Sequence, residues 1–141
     1  MDEFESLNHT KWECKYHLVF IPKGRKKKLF GPVRRDLGEV FRRLAEQTEC
    51  GILEGRLMPD HVYMLISIQY AVSHVVGYIK GKSAIYQVKT YGELQRNFPG
   101  YSFWTRGYFV STVGRDEKVI RDYIKHQEKE DARTEAIGLF R

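Results

Sequence analysis

Cysteine is scarce in this chain: there are two among 141 residues, Cys14 and Cys50, in no C-x-x-C arrangement. That spacing excludes a disulfide framework and a thiolate zinc site of the usual kind, so both are expected to be free, mostly buried thiols. Long apolar runs are missing too. No segment approaches the roughly 18 residues of a membrane span, and the charged start MDEFESLNHT lacks the basic-then-apolar plan of a signal peptide. No membrane partner is therefore expected, and the chain is placed in the cytoplasm. Internal repeats and low-complexity segments are absent. The one glycine-rich candidate for a phosphate loop, Gly77 to Ser83, has only Tyr78, Ile79 and Lys80 between its glycines and sits in a helical pattern, which rules out nucleotide binding there.

What is present is enough for one globular domain over residues 1–141, with a core of about 9–131 and a loosely held tail at 132–141: 42% of residues are hydrophobic and 13% aromatic. Lysine and arginine total 24 against 18 acids, a net charge of +6, which favours a polyanionic partner. The excess is concentrated early. Lys23, Arg25, Lys26 and Lys27 precede Arg34, Arg35, Arg42 and Arg43, and this basic surface is the first candidate for phosphate contacts, the alternative being a solvated loop and helix face. Lys80 and Lys82 are further candidates for a nucleic-acid backbone. Arg106 and Trp104 either bind DNA or simply end a sheet.

Trp12 to Ile21 is aromatic and β-branched and reads as a first strand, ended at Pro22-Lys23-Gly24. Pro32 then opens a helix in which Val33, Leu37, Val40, Phe41 and Leu44 recur at helical spacing, ending between Thr48 and Gly51. Cys50 to Leu57 and His61 to Gln69 form a hairpin around Met58-Pro59-Asp60. Ala71 to Tyr91 reads as a second helix capped by Ser73 and interrupted at residues 81–83. Phe103 to Val113 gives a fourth strand. A last helix runs from Arg115 to about Asp131, with Asp116 and Glu117 suited to its N-terminal dipole and Val119, Ile120, Tyr123, Ile124 and Gln127 along one stripe. This order is the ferredoxin-like split βαβ plan of the α+β class: a four-stranded antiparallel sheet with helices on one face, plus a C-terminal, tyrosine-bearing helix. Exposed aromatics on the open face of such a sheet would stack unpaired bases.

The hairpin's second strand is the most informative stretch. In Pro59-Asp60-His61-Val62-Tyr63-Met64-Leu65-Ile66-Ser67-Ile68, the residues Val62, Met64, Ile66 and Ile68 make one apolar face, while His61 and Tyr63 open the other. A histidine at a strand mouth can meet a ligand, although such residues are more often packed or solvated.

The segments HTKWECKYHLVFIPK, PDHVYMLISI, VVGYIKGKSAI, FWTRGYFVSTVG and DYIKHQ, in that order and at that spacing, resemble the single-tyrosine HUH transposases of small insertion sequences, the TnpA type that includes the REP-associated tyrosine transposases. The resemblance covers His9 to Asp131. It implies nicking and rejoining of single-stranded DNA through a 5′-phosphotyrosine link, with a divalent Mg²⁺ or Mn²⁺ polarising the scissile phosphate. Carried over by position, His61 matches the first metal ligand, Tyr123 the nucleophile and Gln127 the ligand on the last helix. Also implied are hairpins near the element's ends and a homodimer whose active sites are each completed by the partner's tyrosine helix. One position departs: Tyr63 stands where the family has its second histidine, and a neutral phenol is a poor metal ligand. The Ile68-Gln69-Tyr70 turn is also shorter than the family's proline-containing loop. In the cutting enzyme, Tyr63 as phenolate, His126 or His17 would have to stand in for the missing ligand; the rival expectation is a hairpin-binding copy that has lost cutting.

Overall fold

A computed structural model of the chain describes residues 14–23, 29, 31–91, 103–112 and 116–138, the side chains of Tyr91 and of 131–138 excepted. Among these the elements are β1 (Cys14–Phe20), α1 (Pro32–Gln47), β2 (Gly51–Met58), β3 (His61–Ile68), α2 (Val72–Tyr91), β4 (Phe109–Ser111) and α3 (Glu117–Gly138). The sheet order is β2-β3-β1-β4, with every neighbouring pair antiparallel. This is the split βαβ plan expected from the sequence.

Alternation along β1 and β3 sends two sets of side chains to opposite faces. Leu18 and Phe20 from β1, with Val62, Met64, Ile66 and Ile68 from β3, meet Leu37, Val40, Phe41 and Leu44 of α1 and Val75, Val76 and Ile79 of α2 in the main core. An aromatic lattice holds its centre. Phe20 meets Phe41 and Trp104 edge-on at centroid distances of 5.8 and 4.8 Å, and Phe103 meets Trp104 at 4.7 Å. Proline opens α1 at its first turn, where its missing N–H costs nothing. The Thr48 hydroxyl closes the helix by donating to Leu44 O and Ala45 O.

Several expectations are corrected. Helix α2 runs unbroken through Gly81 to Ser83, and Ser73 lies inside it rather than capping it. The glycine penalty, about 1 kcal/mol against alanine, is outweighed by the buried side chains Val75, Val76, Ile79 and Ala84. Cys14 is exposed, whereas Cys50 is buried as expected. Val119 is 40% exposed and drops out of the apolar stripe of α3. That helix continues through Gly138.

The fourth strand differs most. Among the described residues only Phe109–Ser111 pairs as a strand, with Val19 opposite Phe109, while a separate bridge sets Pro22 opposite Trp104; Val113 lies outside the described residues. Three steps along the first strand thus face five along the second, a bulge turning at Gly107 with φ +79. A bulge leaves carbonyls without ladder partners. Here the Lys80 ammonium takes them, donating to Thr105 O at 2.8 Å and Gly107 O at 2.6 Å. Trp104 turns into the main core and donates from Nε1 to Ser83 Oγ at 3.0 Å, so it is not a surface for bases.

The other face of the sheet is not open either. Ile120 and Ile124 of α3 pack on Val19, Ile21 and Tyr63, with Phe109 and Tyr123 at the margin. The expected base-stacking platform is therefore covered by α3. The stripe at Ile120 and Ile124, one helical turn apart, needs an apolar partner, and Val19 of β1, Ile21 just beyond it and Tyr63 of β3 supply it.

Candidate active site

The site is built where α3 crosses β1 and β3. Asp116 caps the helix: its Oδ1 accepts from the backbone N–H of Lys118 at 3.0 Å and of Val119 at 3.3 Å. With the first turn fixed, Ile120 and Ile124 become buried anchors, and Tyr123 and Gln127, on the same side of the helix, are half-buried. The Tyr123 ring lies 5.8 Å from Phe109 of β4, tilted by 46°. The tyrosine is thus held by packing rather than left on a solvated surface.

On the sheet beneath, the Pro59-Asp60 turn sets His61 opposite Met58 in the hairpin register. His61 Nδ1 and Asp60 Oδ1 are 2.8 Å apart. An ionised carboxylate only accepts, so Nδ1 donates to it, and the neutral form of the ring then has its lone pair on Nε2. That arrangement suits His61 to bind a cation or accept a proton.

Tyr63 does something else. It is 2% exposed, its hydroxyl shares a 2.8 Å hydrogen bond with His17 Nδ1, and the two rings stack at 5.9 Å. In the β1–β3 register Tyr63 faces Val19 and His17 faces Leu65, so the phenol leans along the sheet away from His61. His17 itself is level with Leu65, four residues from His61, or roughly 13 Å along the strand. Neither Tyr63 nor His17 can therefore share an ion with His61 in this arrangement. Among the described residues no group of three or more histidine, cysteine, aspartate or glutamate side chains is assembled to hold a metal. His126 is exposed. The residues present do not fit the three-ligand metal centre implied by the resemblance: of that set only His61 and Gln127 remain as donors, and Tyr63 is turned away.

The basic candidates separate by role. Lys80 is partly buried, bound to the two bulge carbonyls and 6.0 Å from the Phe20 ring centroid. Burial lowers its pKa from 10.5 to about 8. Its ammonium serves the fold through these two carbonyls. Lys82 is exposed, over the Tyr78 ring at 5.8 Å. Arg106 is exposed on the bulge that Lys80 pins. The Lys23 side chain is half-buried and its N–H donates to Phe103 O, while Arg25, Lys26 and Lys27 lie outside the described residues.

Sequence reasoning missed the His17–Tyr63 pair. Alternation already places both on one face, and only the strand register, absent from a single sequence, makes them neighbours.

Comparison with known proteins gives a consistent picture. The family described as "Transposase IS200 like" matches residues 10–127. The transposase for insertion sequence element IS200 of Salmonella typhimurium is 42% identical over 141 residues, covering 99% of this chain and 93% of that protein. The ISDra2 transposase TnpA of Deinococcus radiodurans is 31% identical over 119 residues, covering 82% and 85% respectively. Among solved structures, a Deinococcus radiodurans protein described as a transposase superposes with a TM-score of 0.74 at 28% identity, covering 82% of this chain and 92% of that one. The structure of a REP-associated tyrosine transposase bound to a REP hairpin shares the fold, with a TM-score of 0.54 at 12% identity, over 79% of this chain and 62% of that one.

Proposed function

The chain belongs to the family of IS200-like transposases, proteins of DNA transposition, and from that premise we propose that it acts on hairpin-bearing single-stranded DNA through Tyr123, with cleavage limited by Tyr63. The observation that carries this reading is the position of Tyr123. It sits on the capped, anchored start of α3, over the sheet face that presents His61.

The chemistry asked of this chain is one exchange at phosphorus. The Tyr123 oxygen attacks the scissile phosphate and forms a phosphotyrosine ester with the 5′ side, while the P–O3′ bond breaks and the departing oxygen takes up a proton as a free 3′-hydroxyl. Attack by a 3′-hydroxyl on the phosphotyrosine reverses the step, so the ester conserves the bond energy and no ATP is needed. A phenol with a reference pKa of about 10 needs a base or nearby positive charge to attack near neutrality. His61, oriented by Asp60, offers a lone pair on Nε2, and Gln127 one turn beyond Tyr123 offers an amide to orient the phosphate. A homodimer in which the partner's tyrosine helix completes each site belongs to the same reading, supported by family membership.

A denaturing-gel assay for a covalent protein–DNA adduct tests the nucleophile, using labelled single strands carrying a hairpin. An adduct that disappears in Tyr123→Phe supports the assignment. An adduct that persists in Tyr123→Phe sinks it.

The Tyr63–His17 bond favours a second reading, a copy that grips hairpin DNA and has lost cutting. It predicts salt-sensitive DNA binding without an adduct.

A further inference from the structure

The sheet edge opposite β4 carries a feature to which the chemistry at Tyr123 assigns no role. Between α1 and β2 runs an open groove of about 470 Å³, with Arg34, Arg35 and Arg42 along the helix side and Arg56, Leu57 and Met58 along the strand side. Gly38 leaves its floor without a side chain; a Cβ there would meet Leu57 Cδ1 at 3.7 Å. The groove continues inward as a recess of about 130 Å³, of mixed polar and apolar lining, that reaches Phe41 and Ile52.

Its charge works against the fold standing alone. The first turn of α1 has no acidic residue and no side-chain cap, and Arg34 and Arg35 add positive charge to the positive end of the helix dipole, an arrangement that costs stability unless an anion is present. Arg42 stands two turns beyond Arg35, about 10 Å along the helix. On the strand side Arg56 pairs with the exposed Glu54, at 3.3 Å, and among the described residues Glu39 is the one acid lining the groove. Met58, 44% exposed, closes the strand side and is the hairpin partner of His61. The groove, on the α1 side of the sheet, thus reaches the sheet edge at the residue pair whose other member, His61, opens the α3 side.

We propose that this groove binds the single-stranded DNA that runs to the cleavage position, its phosphates on Arg35, Arg42 and Arg56 and a sugar or base edge against Leu57 and Met58. The proposal rests on the strand-transfer reading and names the surface that delivers the strand. A second copy of the chain added at the β2 edge is disfavoured. A twofold axis there would oppose two arginine clusters, and the bulge between Ile52 and Glu54 disrupts the pairing edge.

The test measures affinity for a labelled, unstructured deoxythymidine oligonucleotide by fluorescence anisotropy across a salt series. Wild type is compared with Arg42→Gln/Arg56→Gln and, as a control remote from the groove, Lys89→Gln. Removing one phosphate-binding cation lowers the slope of log K against log salt by about 0.7 for single strands. The slope should therefore fall by about 1.4 in the double variant and hold its wild-type value in the control. An unchanged slope in the double variant, or an equal fall in Lys89→Gln, overturns the groove assignment while leaving Tyr123 chemistry intact. Failure of wild type to bind any single strand overturns both readings. Sedimentation of the same variants completes the test: a shift in self-association in place of the slope change makes the groove an interface between copies and overturns the proposal. Matching thermal melts show that the exposed substitutions leave the fold in place.

Discussion

The two faces of the sheet are built to different standards. Toward α1 and α2 the contact is broad and mostly apolar, with Trp104 tied to Ser83, while the side chains of Gln87 and Thr105 are buried without a hydrogen-bond partner. Toward α3, among the described residues, five buried residues make the contact, and one of them is a tyrosine bonded to a histidine. An apolar layer with interlocked rings gives stability, whereas a thin layer carrying imidazoles, phenols and an amide gives up packing for chemistry. The histidine and tyrosine side chains able to do chemistry, His17, His61, Tyr63 and Tyr123, collect on the α3 face.

Substitutions can break or sharpen this contrast. The largest effect falls on activity: Tyr123→Phe should remove all covalent adduct and leave the unfolding midpoint near that of wild type, because the ring and its packing against Phe109 are kept. Next is the core. Phe20→Ala should cost about 3–5 kcal/mol in denaturant unfolding, and Ile124→Ala on the thinner face about 2 kcal/mol, toward the low end for such truncations. Equal destabilisation by the two would mean that the faces are not distinct in stability.

Smaller still, Tyr63→Phe removes one hydrogen bond and should cost about 1 kcal/mol; a gain in stability would show the His17 pairing to be unfavourable. The finest distinction concerns Lys80. Its pKa is lowered by burial to about 8 from 10.5, so between those values the unfolded chain holds more protons and stability rises with pH. The contribution is complete above about 10.5 and is lost as pH falls through about 8. Lys80→Met should flatten that rise relative to wild type in unfolding measured across the window, and an undiminished slope would contradict it.

The helices, the hairpin and the sheet plan were legible because each rests on local signals: Pro32 at a helix start, the acidic pair Asp116 and Glu117 near another, alternation from His61 to Ile68. Tyr123 and Gln127 were legible as a stripe and through family likeness. What was not legible depends on contacts distant in sequence. The bulge at Gly107 hides within an aromatic, β-branched run that reads as continuous strand, and its stabilising partner, Lys80, lies 27 residues earlier. Lys80 therefore looked like a surface charge. Helix α2 looked broken at Gly81 because propensity is local and the burial that overrides it is not. The lean of Tyr63 toward His17 depends on the β1–β3 register, 46 residues apart in the chain.

The central claim is that the α3 face is a strand-transfer site with its nucleophile in place and its second imidazole replaced by a phenol turned away from His61. The most direct measurement is adduct yield on hairpin-bearing single-stranded DNA for wild type and Tyr63→His in the same Mg²⁺ or Mn²⁺ buffer, with Tyr123→Phe added to each. The account predicts that Tyr63→His raises the yield at least about tenfold, a change of about 1.4 kcal/mol in barrier, and that Tyr123→Phe removes it in both backgrounds. A wild-type yield equal to that of Tyr63→His would contradict the account, as would an adduct surviving removal of the Tyr123 hydroxyl.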